Sequence, residues 1–146
     1  MKVFLDASFL IYLNTLTGGE RGALDDLFIR LLKEDLYTNL LVLDETLYIS
    51  KTRYRVPYDA TLSFLKKIVL PYTAPIAVEG SDLETVESYL LEYNLKPSDA
   101  IHLATMKKEA ATHIVTEDQE FDHIKETKRI WLDSKPSKNS AQQSRR

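Results

Sequence analysis

The sequence predicts an α/β domain built on a mainly parallel sheet with helices over both faces. Short apolar runs alternate along the chain with longer segments whose apolar residues recur at helical spacing, and Gly or Pro punctuates the joins. At 146 residues the chain suits one domain with a full hydrophobic core, and it contains no cysteine to staple a smaller one.

The elements follow in order. Val3-Phe4-Leu5 lies within a first strand over residues 2–6 that ends on Asp6, and Ser8 to about Leu16 reads as a helix stopped by Gly18-Gly19. Leu24, Leu27, Phe28, Leu31 and Leu32 form the apolar stripe of an amphipathic helix over 20–34. Leu36 to Val42 reads as a second strand, with Asp44-Glu45 just beyond it and a helix over 46–54 that turns Leu47, Tyr48 and Ile49 inward. Pro57 suits the first turn of the next helix, which runs over 58–70 until Pro71.

Ile76 to Val78, between Pro75 and Gly80, is a third short strand. Ser81-Asp82-Leu83-Glu84 matches a capping box, with Leu83, Val86 and Leu90 as the buried stripe behind it. Lys96-Pro97-Ser98-Asp99 starts another helix and puts Asp99 in its first turn. His113 to Val115 is a fourth strand leading into Thr116-Glu117-Asp118, and Arg129 to Leu132 is a last edge strand. Residues 1–134 make the expected domain. Residues 135–146 hold Lys, Ser, Asn, Gln, Arg and one Pro, too polar to repay ordering, and are expected to be a disordered basic tail.

Charge narrows the function. The net charge is −3, but the tail carries four basic residues and no acid, so the body alone stands at −7. An acidic body argues against a passive nucleic-acid binder, which shows a basic footprint. Without cysteine there are no disulfides, thiolate zinc sites or Cys nucleophiles, and His113 and His123 have no zinc-like spacing. No apolar run reaches the roughly 18 residues of a membrane span, and Asp6 interrupts the one stretch that faintly resembles a leader. These features lead us to expect a cytoplasmic protein.

Asp6, Glu45, Asp99 and Asp118 share a position type: each falls just past a strand or at a helix start. In a parallel sheet such positions open onto one shared crevice. Taken singly, each acid is better explained as an N-cap or a partner of the helix dipole. As a set, four carboxylates at one mouth would repel each other unless a cation lies among them. Mg²⁺ or Mn²⁺ suits oxygen donors, and such ions promote in-line phosphoryl displacement.

These residues also resemble a known family. Val3-Phe4-Leu5-Asp6-Ala7-Ser8, Glu45 after the second strand, Ser98-Asp99-Ala100 with Ala104 behind it, and Val115-Thr116-Glu117-Asp118 with Phe121 are similar to the motifs of the PIN domain, over about residues 1–133. The resemblance implies a three-layer α/β/α sandwich, a metal-dependent ribonuclease acting on RNA phosphodiester bonds, and an acidic cluster of Asp6, Glu45, Asp99 and Asp118. It implies Ser8 and Thr116 as polar supports within the site. Many small single-domain members are toxins of the VapBC toxin–antitoxin type. The helices over 20–34 and 58–70 carry enough apolar residues to bury a core face and leave a flank for another chain, so a homodimer or an antitoxin-like partner is expected.

Other assignments stay open at this level. Either Asp44 or Glu45 can point into the crevice, the family pattern favouring Glu45. Asp122 is either an auxiliary ligand or an exposed turn acid, and Glu117 reads as a solvated neighbour. His102, three residues after Asp99, either contacts substrate or packs beside the site. Arg53 and Lys96 are the basic residues best placed to meet RNA. Three alternatives stand beside a toxin nuclease: an RNA-processing or decay nuclease, a phosphoacceptor or phosphatase domain, and a non-catalytic interaction module.

Overall fold

A computed structural model describes residues 1–132. The expected tail therefore lies outside the described residues, as do the last two residues of the expected domain. Five strands alternate with six helices: β1 (Lys2–Leu5), α1 (Ala7–Thr15), α2 (Gly18–Leu31), β2 (Asp35–Asn39), α3 (Leu40–Thr52), α4 (Tyr58–Phe64), β3 (Thr73–Ile76), α5 (Leu83–Glu92), α6 (Pro97–Glu109), β4 (His113–Val115) and β5 (Lys128–Ile130). The strand order is β3-β2-β1-β4-β5, and all four pairings are parallel.

β1 is central because Val3, Phe4 and Leu5 are all apolar and become fully buried, as a strand covered on both faces requires. It pairs through Phe4 with Tyr37 of β2 on one side and Ile114 of β4 on the other. α1 packs on α2 and α3, and α3 on α4, whereas α5 packs on α6, which lies against β2 and β3. Two helical layers thus enclose the sheet. After β3 the chain crosses back to β4, on the far side of β1, so the winding direction reverses between β1 and β4. A crevice opens there, at the carboxyl ends of these two strands.

Several boundaries differ from the sequence reading. Gly18-Gly19 opens α2 rather than closing α1; Gly18 takes φ +71°, which a residue with a Cβ rarely adopts, and α1 has already stopped at Thr15. The second strand ends at Asn39, whose side-chain oxygen accepts from Val42 N at 2.9 Å and starts α3 at Leu40. That cap turns the apolar run 40–43 into helix, and it puts Glu45 in the second turn of α3 rather than beside a strand end. In the same helix Tyr48 points outward.

Pro57 is the N-cap of α4, not a first-turn residue, and the helix runs on as a π-helical turn over Leu65–Val69. β3 starts earlier than expected and includes Pro75, tolerated because β3 is an edge strand. The capping box before α5 is formed by Glu79 and Asp82 around a 3₁₀ turn, not by Ser81 and Glu84. Leu83 is 70 % exposed, and Val86 and Tyr89 do the burying. No helix among the described residues is long and apolar enough to cross a membrane.

Candidate active site

The crevice between β1 and β4 is a cleft of about 570 Å³. Asp6, Ser8, Glu45, Arg53, Lys96, Asp99, Thr116 and Asp118 all line it. Both Asp44 and Glu45 are exposed, but only Glu45 is in the cleft lining. Glu45, Ile49 and Arg53 recur every fourth residue on α3 and so present one face to the cleft.

Asp6 occupies the N-cap position of α1, yet its side chain makes no capping bond. Its Oδ2 accepts instead from Thr116 Oγ1 at 2.8 Å. Thr116 has one hydroxyl proton, and a carboxylate can only accept, so that proton belongs to Asp6. The Thr116 oxygen then accepts from Asp118 N at 3.1 Å and from the Ser8 hydroxyl at 3.3 Å, while Ser8 Oγ accepts from Glu117 N at 3.1 Å. This chain of bonds ties the first and last acids of the sequence together.

Asp99 is the third residue of α6, a helix opened by Pro97. It is buried, and burial first, then the charge of Asp6, pushes its carboxyl up to about 7; Asp118 and Glu45 add to the rise and Lys96 opposes it. Glu45 is raised by burial and by Asp6, again against Lys96. Asp118 Oδ1 accepts from Glu120 N at 2.9 Å and starts a 3₁₀ turn over Gln119–His123.

Two sequence candidates, Asp122 and His102, sit outside the cleft lining. Asp122 is outside the cleft lining: Arg129 holds its carboxylate at 2.9 and 3.2 Å and also donates to Thr116 O at 3.3 Å, so the pair braces the end of β4. The guanidinium keeps Asp122 below the usual carboxylate range. His102 is buried beneath the cleft rather than lining it. Glu117 is exposed, in keeping with a solvated neighbour, and at the cleft rim it accepts from the Tyr12 hydroxyl at 2.7 Å, a bond that with burial raises that hydroxyl to about 12.

Tyr12, Tyr54, Ile11 and Gln119 also line the cleft. Of these, Tyr12 was findable, since it lies four residues after Ser8 on α1. A second depression of about 460 Å³ adjoins the first and shares Lys96, Asp99 and Asp118 with it. Asp99 and Asp118 thus stand where two grooves meet.

The donor set fits a hard divalent cation: the four acids offer oxygen only, and their mutual repulsion is what a cation would relieve. Among the described residues no group of three or more His, Asp or Glu side chains is arranged so that together they could hold a metal ion. Magnesium asks less, since one or two carboxylates commonly hold it, with water and phosphate filling the other positions.

A family model described as the PIN domain matches residues 3–127. No curated protein matches the chain in sequence. Solved structures do match in fold. VapC20 of Mycobacterium tuberculosis, described as a sarcin-ricin loop cleaving toxin, superposes with TM-score 0.69 at 19% identity, over 86% of this chain and 96% of that one. VapBC2 from Rickettsia felis, solved with a fragment of its promoter DNA, gives 0.70 at 18% identity, over 91% and 100%. A toxin–antitoxin complex from Klebsiella pneumoniae gives 0.65 at 20% identity, over 86% and 94%. At these identities the likeness shows the fold.

Proposed function

This chain belongs to the PIN domain family, and from that membership and the acidic cleft we propose that it is a metal-dependent endoribonuclease, the toxin of a toxin–antitoxin pair. The observation that carries the reading is the arrival of Asp6, Glu45, Asp99 and Asp118, from four separate elements, on one cleft at the reversal of the sheet. Asp6, Asp99 and Asp118 are the residues that would hold Mg²⁺ or Mn²⁺. Glu45 is a further ligand or the group that orients water. When bound, such an ion lowers the pKa of water and offsets charge on a phosphodiester.

The chain's own residues supply the rest. Thr116 holds Asp6 in one orientation and Asp118 in register with it. Arg53 and Lys96, both exposed at the cleft, meet phosphates on either side of the scissile one. Tyr54 offers a ring face to an unpaired base. Two grooves meeting at Asp99 and Asp118 let a strand pass through, which favours internal cleavage over trimming from an end.

The toxin assignment draws support from the fold neighbours, which include toxins and toxin–antitoxin complexes. Ile29 on α2, with Tyr58, Leu62 and Ile68 on α4 and its π-helical extension, are exposed apolar side chains for an antitoxin or a second copy to cover. A nuclease of RNA processing or decay would use the same cleft without that partner.

The test is cleavage of structured and single-stranded RNA with Mg²⁺, Mn²⁺ or EDTA, comparing Asp6→Asn and Asp99→Asn with the parent chain. Internal cleavage that needs the ion and is lost in both variants is expected. Cleavage in EDTA, or full activity in both variants, would refute the reading. Copurification and light scattering then test for the antitoxin and the homodimer.

A further inference from the structure

His102 is the buried titratable group that the proposed chemistry leaves unused. It is 1 % exposed, lies on α6, and its ring meets Phe4 at 5.5 Å between centroids. Each ring nitrogen faces one polar group: Nδ1 is 3.2 Å from Asn39 Nδ2, and Nε2 is 3.7 Å from Asp6 Oδ1.

The hydrogen-bond directions can be worked out from Asn39. Its side-chain oxygen is committed to Val42 N at 2.9 Å, so its amide nitrogen is the atom that faces His102 Nδ1 and, at 3.0 Å, Thr105 Oγ1. Thr105 gives its own proton to the His102 carbonyl at 2.9 Å and so accepts from Asn39. An amide nitrogen only donates, hence His102 Nδ1 accepts, and the ring's hydrogen resides on Nε2. That N–H faces Asp6 Oδ1, while Asp6 Oδ2 is taken by Thr116.

We propose that His102, with its tautomer set by Asn39, is a positioning residue that aims a neutral N–H dipole at Asp6 Oδ1 and so orients that carboxylate for a divalent cation. At 3.7 Å the contact is a directed dipole and not yet a hydrogen bond; a shift of about 0.7 Å would make it one. A neutral donor suits the place. A Lys or Arg there would orient Asp6 equally well but would cancel charge where a cation has to bind. Outer partners of this kind commonly govern metal affinity. The tautomer stands independently, whereas its use in catalysis rests on the nuclease reading.

The test uses the 146-residue chain labelled with ¹⁵N-histidine, with Mn²⁺ as the probe ion. Long-range ¹H–¹⁵N spectra are expected to show the Nε2–H form of His102 in the parent and its loss or reversal in Asn39→Asp, which offers Nδ1 an acceptor. Calorimetric titration is expected to show Mn²⁺ binding weakened roughly 10–100-fold in His102→Leu and largely restored in His102→Gln, whose amide can donate toward Asp6. An Nδ1–H or doubly protonated ring in the parent overturns the proposal, as does equal Mn²⁺ affinity in the Leu and Gln variants. If His102→Leu fails to fold, the parent tautomer and the Mn²⁺ affinity of Asn39→Asp decide. A parent that meets both expectations but cleaves no RNA leaves the positioning role in place and sinks the nuclease reading.

Discussion

Replacing Thr116 by Val isolates the bond that joins the two ends of the acidic cluster. Thr116 is fully buried, and Val nearly matches its shape, so little cavity forms. What disappears is the 2.8 Å bond to the Asp6 carboxylate and the acceptor for Asp118 N at 3.1 Å and for the Ser8 hydroxyl at 3.3 Å. A hydrogen bond to a charged group contributes roughly 1.5–3 kcal/mol, and the orphaned N–H adds to the loss. We expect Thr116→Val to lose about 2–3 kcal/mol in urea unfolding, a drop of ~5–10 °C in Tm. Thr116→Ser keeps the hydroxyl and loses one methyl, worth about 1 kcal/mol. RNA cleavage should fall steeply in the Val variant and persist in the Ser variant. A Val variant within about 0.5 kcal/mol of the parent, the scatter of a neutral surface change, would show that Thr116 does not hold Asp6.

Other expectations follow from the same structure. The Asp99 carboxyl titrates at about 7 when folded, above its unfolded value near 3.9. The folded chain therefore binds the extra proton between those values, and stability falls as pH rises through that window. Thermal melts without metal should show Asp99→Asn gaining on the parent above pH 7 while losing cleavage; a variant no more stable there would contradict the crowding of the acids. Asp82 is held below the usual range by Glu79 N at 2.8 Å, and Lys108 at 3.0 Å adds to this. Its contribution is present above pH ~4 and lost as pH falls through its lowered folded value, so Asp82→Asn should be less stable than the parent at pH 7, with the gap narrowing as pH falls below ~4. Arg53→Ala and Lys96→Ala should each raise KM and flatten its salt dependence; unchanged salt dependence in both would remove them from the RNA path.

Reading a chain from its residues succeeds where one local cause dominates. Val3-Phe4-Leu5 could only be a buried strand, and Pro97 with Asp99 marks a helix start that α6 confirms. It fails where two local signals compete. The run 40–43 is as apolar as a strand, but the cap at Asn39 makes it helix, and that moves Glu45 by a turn. Ser81 and Glu84 have the spacing of a capping box, yet Glu79 and Asp82 form it, and Lys108 from α6 ties both of these acids down from outside the turn.

The sequence alone determined the α/β class, the order of the elements and the candidacy of Asp6, Asp99 and Asp118, because each depends on spacing along the chain. The reversal between β1 and β4, the choice of Glu45 over Asp44, the pairing of Asp122 with Arg129 and the burial of His102 under Asp6 were decided only by the tertiary structure. Each of these joins groups that no local periodicity relates. Asp6 and Thr116 lie 110 residues apart, and only the parallel pairing of β1 with β4 brings the hydroxyl of one to the carboxylate of the other.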